Sequence, residues 1–124
     1  MLFFQNTDGL APAWEWLRDL RVRNPKAYIK CVVRIKRLAE TGYELRRPEA
    51  DFLRDGIYEL RARLGSVNHR ILYFFHGRNV AVLAHAITKE NEIPASEIKR
   101  ALERKKEFIA NPVAHTFIGE IEDA

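Results

Sequence analysis

The sequence predicts an α+β fold with the element order β-α-α-β-β-β-α. Two segments with apolar residues at helical spacing come early in the chain. Three runs rich in β-branched and aromatic residues follow, and a further helical segment comes after them. We therefore expect an antiparallel sheet packed against an N-terminal helical hairpin and a C-terminal helix.

The first strand and the helical hairpin occupy the N-terminal third. The apolar segment Leu2–Gln5 predicts a short strand at the edge of the sheet. Apolar residues recur at helical spacing over Leu10–Leu20, and Pro12 is tolerated in the first turn. Asn24-Pro25 has the residues of a helix cap followed by a first helical position, and Gly42 is expected to end this second helix.

The three β-like runs are Ile57–Leu64, Val67–His76 and Asn79–Ile87. They are separated by Gly65-Ser66 and Gly77-Arg78. Glycine in the first position of a two-residue link suits a type II′ hairpin turn, because that position requires a positive φ. The runs therefore predict a three-stranded antiparallel meander.

The segments flanking the meander are less regular. Residues 43–55 are polar and contain Pro48, so we expect no regular element there. Pro94 begins the last helix and Asn111-Pro112 stops it. From about residue 111 onwards we expect only a short acidic tail.

Length and composition indicate a single globular domain over residues 1–124. The chain is 47% hydrophobic and 31% charged, which is typical of a soluble protein. It has no apolar run near the roughly 20 residues of a membrane span, and its start does not resemble a signal peptide. Cys31 is the only cysteine, so we expect a packing role and a reducing cytoplasmic location.

The charge distribution favours an anionic partner. The net charge is +4, and residues 111–124 contain acidic side chains but no Lys or Arg, so the rest of the chain is more strongly basic. Nucleic acid is the leading candidate for such a partner. Solubility charge is the alternative.

Strand alternation places a row of cations on one face of the meander. With Gly65-Ser66 as the first turn, Arg61 lies opposite Arg70; with Gly77-Arg78 as the second, Arg70 lies opposite His85. Like charges at opposed positions are destabilising unless they are solvated, neutralised or used to bind an anion. The same face or its edge carries Glu59, Arg63, Asn68 and Lys89.

This row suits RNA cleavage without a metal or cofactor. The ribose 2′-hydroxyl is then the nucleophile, and the reaction needs a base, an acid and cations for the charge on phosphorus. The catalytic candidates are Arg61, Arg70, His85 and Lys89, with Arg63 and Asn68 as RNA- or phosphate-binding residues. We expect the side chain of Arg70 to be exposed. His69, on the core-side face, and His76, at the turn, are weaker candidates.

Other chemistries lack their motifs. The chain has no glycine-rich phosphate loop, no nucleophile elbow and no His-Glu-x-x-His zinc motif. Its four histidines and one cysteine do not have metal-ligand spacing. We therefore predict no metal site and no cofactor.

Several spaced motifs resemble the phage-derived Gp49-like (HigB-type) branch of the RelE/ParE toxins. The resemblance covers roughly residues 12 to 117. Its central motifs are Gly56–Arg61, His69–Phe75 and Leu83–Lys89, and its later ones are Ile93-Pro94, Glu97-Ile98 with Ala101, and Asn111-Pro112 with His115-Thr116-Phe117.

The resemblance implies a RelE-like fold and a toxin neutralised by a cognate helix-turn-helix antitoxin. Some relatives cut mRNA in the ribosomal A site, and others inhibit DNA gyrase. By position, Arg61 is the arginine of the Glu-Leu-Arg motif and Arg70 that of the Tyr/His-Arg-Ile motif. His85 and Lys89 match a His-Gly-Phe-x-Lys-Lys motif, whose second lysine is Glu90 here.

Three functions are compatible with the sequence. The first is a ribosome-dependent mRNA endonuclease. The second is a non-enzymatic inhibitor of gyrase or of another protein. The third is an inactive module that only pairs with its antitoxin. We expect convergence of the cationic row on a concave surface for the first, and burial of Arg61 against Glu59 for the other two.

Overall fold

A computed structural model describes residues 1–89 and 92–121 as a six-stranded sheet with helices on both faces. The strands are β1 (Leu2–Phe4), β2 (Ala50–Arg54), β3 (Ile57–Leu64), β4 (Val67–His76), β5 (Val80–Lys89) and β6 (Thr116–Ile118). The helices are α1 (Pro12–Arg23), α2 (Pro25–Thr41), α3 (Ala95–Ala110) and α4 (Pro112–His115). The strand order is β2-β3-β4-β5-β1-β6. The predicted α+β class is confirmed, and the arrangement is compatible with a RelE-like fold.

The helical hairpin forms where the sequence predicts it. The side-chain oxygen of Asn24 accepts a hydrogen bond from the backbone N–H of Ala27, and Pro25 occupies the first turn of α2. Gly42 ends this helix with a φ of +63°, which glycine adopts without strain. The apolar sides of α1 and α2 pack on one face of the sheet through Leu17, Leu20, Tyr28, Cys31, Ile35 and Leu38.

Helix α3 covers the opposite face of the sheet. Its residues Ala101 and Phe108 pack against Ile57, Leu72 and Phe74. The helix follows Pro94 and is capped at Asn111, as predicted. Within residues 1–89 and 92–121, no helix is long and apolar enough to cross a bilayer.

The first hairpin of the meander has the predicted register. Leu64 pairs with Val67 across the two-residue link, and Arg61 lies opposite Arg70. Gly65 has a φ of +64°, which is the conformation that a glycine-first hairpin turn requires.

The second hairpin departs from the prediction. His76 pairs with Val80, so the turn takes three residues, and a bulge follows between Leu72 and Tyr73. Each irregularity shifts the register by one residue, and a shift of one residue exchanges the two faces of a strand. Together the two shifts leave His85 on the same face of the sheet as Arg70, but they change which residue lies opposite Arg70. The expected pairing of Arg70 with His85 is therefore wrong: Arg70 lies opposite Ile87, and Leu72 lies opposite His85.

Asn79, the third residue of this turn, has a contact with a distant segment of the chain. The Oδ1 atom of Asn79 accepts a hydrogen bond of 2.8 Å from the backbone N–H of Tyr43, in the segment that follows α2. This contact joins residues that are 36 positions apart in the chain. Strand alternation alone does not reveal it.

Three further expectations about the strands are wrong. Residues 50–54, expected to be irregular, form β2 at the edge of the sheet. Strand β1, expected at the edge, lies between β5 and β6 and runs parallel to β5. The expected tail contains α4 and β6, while residues 122–124 lie outside the described part. Phe3 and Phe4 of β1 are both buried, which is the pattern of an interior strand covered on both faces.

Candidate functional site

The carboxylate of Glu59 lies between the side chains of Arg61 and Arg70, and we call these three residues the arginine cluster. Its Oε1 accepts a hydrogen bond of 2.6 Å from Nε of Arg61, and its Oε2 accepts one of 2.9 Å from Nη1 of Arg70. The side chain of Glu59 is 2% exposed, that of Arg70 10% and that of Arg61 29%. The sequence expectation that Arg70 is exposed is therefore wrong. Arg70 lies on an interior strand, and its guanidinium is paired with a buried carboxylate.

The cluster continues to the free edge of the sheet through Asp51. Nη2 of Arg61 lies 3.1 Å from Oδ2 of Asp51, and Nη2 of Arg47 lies 2.7 Å from the same oxygen. The hydrogen bond from Arg47 lowers the pKa of Asp51 below its usual range. Two acidic and three basic side chains therefore form one connected network with an excess of positive charge.

His85 lies on the same face of the sheet but has other neighbours. Its Nε2 is hydrogen-bonded to Oε2 of Glu97, and its Nδ1 lies 2.9 Å from Nη1 of Arg104. Nη1 of Arg104 also donates to the backbone carbonyl of Ala84 at 2.8 Å. These contacts come from α3, so the helix supplies the partners of His85.

These contacts define the protonation of His85. A guanidinium only donates hydrogen bonds, so Nδ1 accepts from Arg104 and the ring proton is on Nε2, which donates to Glu97. The ring is therefore neutral. Burial lowers the pKa of His85 below its ordinary value, while the hydrogen bond to Glu97 opposes this effect and the charge of Arg104 adds to it.

The remaining predicted site residues lie near the β3–β4 turn. Arg63 pairs with Asn68, and Asn68 pairs with Lys89, so the three form one row across three strands. Nε of Arg63 donates to the carbonyl of Gly65 at 2.8 Å. The side chain of Lys89 and the whole of Glu90 lie outside the described residues.

The other histidines have structural contacts. His69 is buried as expected on the core-side face, where its Nδ1 lies 3.1 Å from Oγ1 of Thr88 and its ring lies against Trp16. His76 is at the turn, with its ring against Phe108. His115, which the sequence analysis placed in a late motif but not among the site residues, is also buried.

The sequence interpretation missed Asp51, Glu97 and Arg104 as members of the site. Glu97 and Arg104 are seven residues apart, which places them two turns apart on one side of a helix. That spacing was visible in the sequence, but nothing local showed that this side of α3 faces His85.

The described part of the chain contains no group of three or more His, Cys, Asp or Glu residues that could hold a metal ion. The lone thiol is not a reactive site either. Cys31 is fully buried, and burial raises its pKa to about 12.

No curated protein matches the chain. A family model described as Phage derived protein Gp49-like (DUF891) matches residues 15–106. The matched region contains the arginine cluster, His85 and both of its partners on α3. This family is consistent with a toxin–antitoxin module and suggests an antitoxin partner. This match covers most of the chain, and the chain therefore belongs to the phage-derived Gp49-like family.

Proposed function

We propose that this chain is the toxin of a type II toxin–antitoxin pair and that it is a metal-independent endoribonuclease acting on mRNA in the ribosome. The observation that carries the proposal is the placement of Arg61 and Arg70 on adjacent strands, joined by Glu59, on the face that also holds His85. Family membership supports the toxin assignment.

The arginine cluster supplies fixed positive charge for phosphate. Glu59 orients both guanidinium groups, and Arg61 is the more accessible of the two. A guanidinium fork binds a phosphate through parallel charge-assisted hydrogen bonds. In this proposal Arg61 contacts the scissile phosphate, Arg70 sets the position of Glu59, and the row of Arg63, Asn68 and Lys89 binds neighbouring RNA.

Cleavage moves two protons. A base takes the proton of the ribose 2′-hydroxyl as its oxygen attacks phosphorus, and an acid protonates the 5′-oxygen as the P–O bond breaks. The products are a 2′,3′-cyclic phosphate and a 5′-hydroxyl. His85 is our candidate for the base. Its Nδ1 is available only when Arg104 moves, and an incoming phosphate is a stronger acceptor for that guanidinium than a neutral imidazole.

One observation favours a second function, that of a non-enzymatic inhibitor of gyrase or of another protein. Glu59 pairs with both predicted catalytic arginines, Arg61 and Arg70, and both ring nitrogens of His85 are engaged. Under this alternative, or for an inactive antitoxin-binding module, the cluster stabilises the sheet. The chain then acts through its surface and not through proton transfer.

Partners and location follow from the toxin assignment. The proposal includes a cognate helix-turn-helix antitoxin, the ribosome with its mRNA, and a single toxin domain over residues 1–124 in the cytoplasm. The basic net charge of +4 supports a polyanionic target.

Induced expression with and without the neighbouring gene, followed by mapping of mRNA 5′ ends, tests the proposal. We expect growth arrest, new 5′ ends within coding regions, and relief of both by the neighbouring protein. An Arg61→Ala variant should give neither effect. Arrest without new 5′ ends would contradict the nuclease and support the inhibitor, and the absence of arrest would contradict the toxin assignment.

A further inference from the structure

A cavity of about 510 Å³ lies at the free edge of the sheet, between the segment after α2 and β2. Its volume is within the range of small-ligand sites, about 300–1,000 Å³. The lining includes the aromatic residues Tyr43, Phe52 and Tyr58 together with Arg46 and Arg47. Tyr58 alternates along β3 with Glu59, so the aromatic wall lies on the face opposite Glu59, while the lining also includes Asp51, the partner of Arg47 and Arg61.

Two of the aromatic rings are unusually accessible. Phe52 is 54% exposed and Tyr43 is 48% exposed. The third ring orders this wall: Tyr58 meets Phe52 edge-on at 5.2 Å between ring centres, and it stacks on the buried Tyr73 at 5.5 Å. The cavity therefore presents apolar ring surface on a rigid support.

The backbone around the cavity is held in place. The contact of Asn79 with the N–H of Tyr43 anchors the segment after α2. The side chain of Asn79 also lies so close to Gly42 that a Cβ atom at Gly42 would meet it at 2.0 Å. These contacts hold the backbone at Gly42 and Tyr43.

The rim of the cavity carries positive charge. The guanidinium of Arg46 donates to the carbonyl of Tyr43 and, at 3.3 Å, to that of Leu45, and these acceptors are neutral. Arg47 is paired with Asp51, which also binds Arg61. This chain of contacts connects the rim to the arginine cluster around the edge of β2.

We propose that this cavity binds a base of single-stranded RNA, with the base against Phe52 and Tyr43 and the adjacent phosphates on Arg46 and Arg47. Single-stranded nucleic-acid sites combine cationic side chains for the backbone with aromatic rings for the bases. The assignment to RNA depends on the proposed function. An RNA strand that crosses the edge of β2 touches both the cavity and the cluster, so the cavity holds a nucleotide outside the cleavage site.

Fluorescence anisotropy of the purified full chain with labelled hexaadenylate RNA tests the proposal. The comparison strand has the same length and phosphates but lacks bases. We expect the abasic strand to bind at least about fivefold more weakly, because stacking contributes about a factor of five or more per base. Equal binding of the two strands would overturn the proposal.

Substitutions identify the contacts. Phe52→Ala should weaken binding of hexaadenylate about tenfold, and Phe52→Leu should weaken it similarly because leucine keeps apolar area but has no ring. Phe52→Trp keeps an aromatic ring at this position and should bind hexaadenylate as tightly as the unsubstituted chain does. Val113→Ala, at a fully accessible apolar residue of α4, should have no effect. Unchanged binding by Phe52→Ala would overturn the proposal.

Arg46→Ala should weaken the binding of both strands, because it removes a phosphate contact. Lys26→Ala makes the same change of charge at an exposed position at the start of α2 and should have a smaller effect. Equal effects of these two variants would contradict a local site.

The antitoxin is the competing occupant of this surface. If Phe52→Ala abolishes capture by the neighbouring protein while RNA binding is unchanged, the cavity is a protein-docking site and the proposal is wrong. Growth arrest is scored separately. If the chain arrests growth but does not bind hexaadenylate, only the proposed RNA-base site in the cavity is contradicted. If it binds hexaadenylate but does not arrest growth, only the toxin assignment is contradicted.

Discussion

Oε2 of Glu59 lies 2.9 Å from Nη1 of Arg70 across the β3–β4 pair, and both side chains are buried. Removal of one partner from a buried ion pair leaves an uncompensated charge, which costs about 3–5 kcal/mol. We therefore expect Glu59→Gln to lower the free energy of unfolding by about that amount, measured by urea denaturation. Asp19→Asn breaks the exposed pair with Arg23 and should cost only about 0.3–0.5 kcal/mol. Equal losses would contradict a buried pair.

Arg61 is the better position for a test of toxicity. Its side chain is partly exposed, so water can replace part of its contact with Glu59, and we expect Arg61→Ala to cost less stability than Arg70→Ala while abolishing growth arrest. The side chain of Arg70 is only 10% exposed, so water cannot replace its contact with Glu59, and Arg70→Ala should lose arrest and more stability together. Growth curves and urea midpoints of the two variants separate these effects. A folded Arg61→Ala variant that remains fully toxic would remove Arg61 from the mechanism.

The stability of the protein should decrease below about pH 6.5. Burial lowers the pKa values of His85 and His69 in the folded state, so the unfolded chain takes up these protons first as the pH falls. Stability is therefore complete above the ordinary histidine pKa of about 6.5, and it is lost as the pH falls from there towards the lowered folded value.

Urea midpoints at about pH 7.5 and about pH 5.5 measure this loss. His85→Gln and His69→Gln should each reduce the difference between the two midpoints. His76→Gln, at the exposed turn, should leave it unchanged. A difference that is the same in all three variants would contradict the assignment.

The proposed cleavage should depend on His85. General acid–base catalysis contributes about 10²–10⁴-fold, so His85→Ala should slow single-turnover cleavage on programmed ribosomes by about that factor. His85→Gln keeps a hydrogen-bonding group but cannot titrate, and it should be nearly as slow. Unchanged cleavage by His85→Gln would make His85 a structural residue that links the sheet to α3.

Cleavage should also continue when zinc and manganese are removed. The described residues contain no ligand cluster, and the proposed chemistry uses only the ribose hydroxyl, a base and cationic side chains. The test is a chelator selective for those metals, added at fixed magnesium because ribosomes require it. Loss of cleavage that returning zinc or manganese restores would reveal a metal site.

Cys31 should be unreactive in the folded protein. Because burial excludes reagent and raises the thiol pKa to about 12, a disulfide reagent should label it only at the rate of unfolding. Labelling in urea should be rapid and complete. Rapid labelling without denaturant would contradict the packing role.

Local patterns were sufficient for much of the fold. Asn24-Pro25 and Gly42 delimit α2 because caps depend on neighbouring backbone groups, and the register of β3 with β4 follows from the Gly65-Ser66 turn. The same alternation correctly placed Arg61 and Arg70 on one face of the sheet, whereas His85 lies on that face because the two register shifts in the second hairpin cancel. These features depend on residues that are close in sequence.

Only the tertiary structure decided which side chains meet. The three-residue turn after His76 and the bulge beside Leu72 place His85 opposite Leu72 and not opposite Arg70. Strand β1 is only three residues long and becomes an interior strand through pairing with segments about 80 and 115 positions away. Docking of α3 brings Glu97 and Arg104 to His85, and Glu59 becomes a buried partner of both Arg61 and Arg70. Each of these outcomes depends on packing between distant segments, for which the local sequence carries no signal.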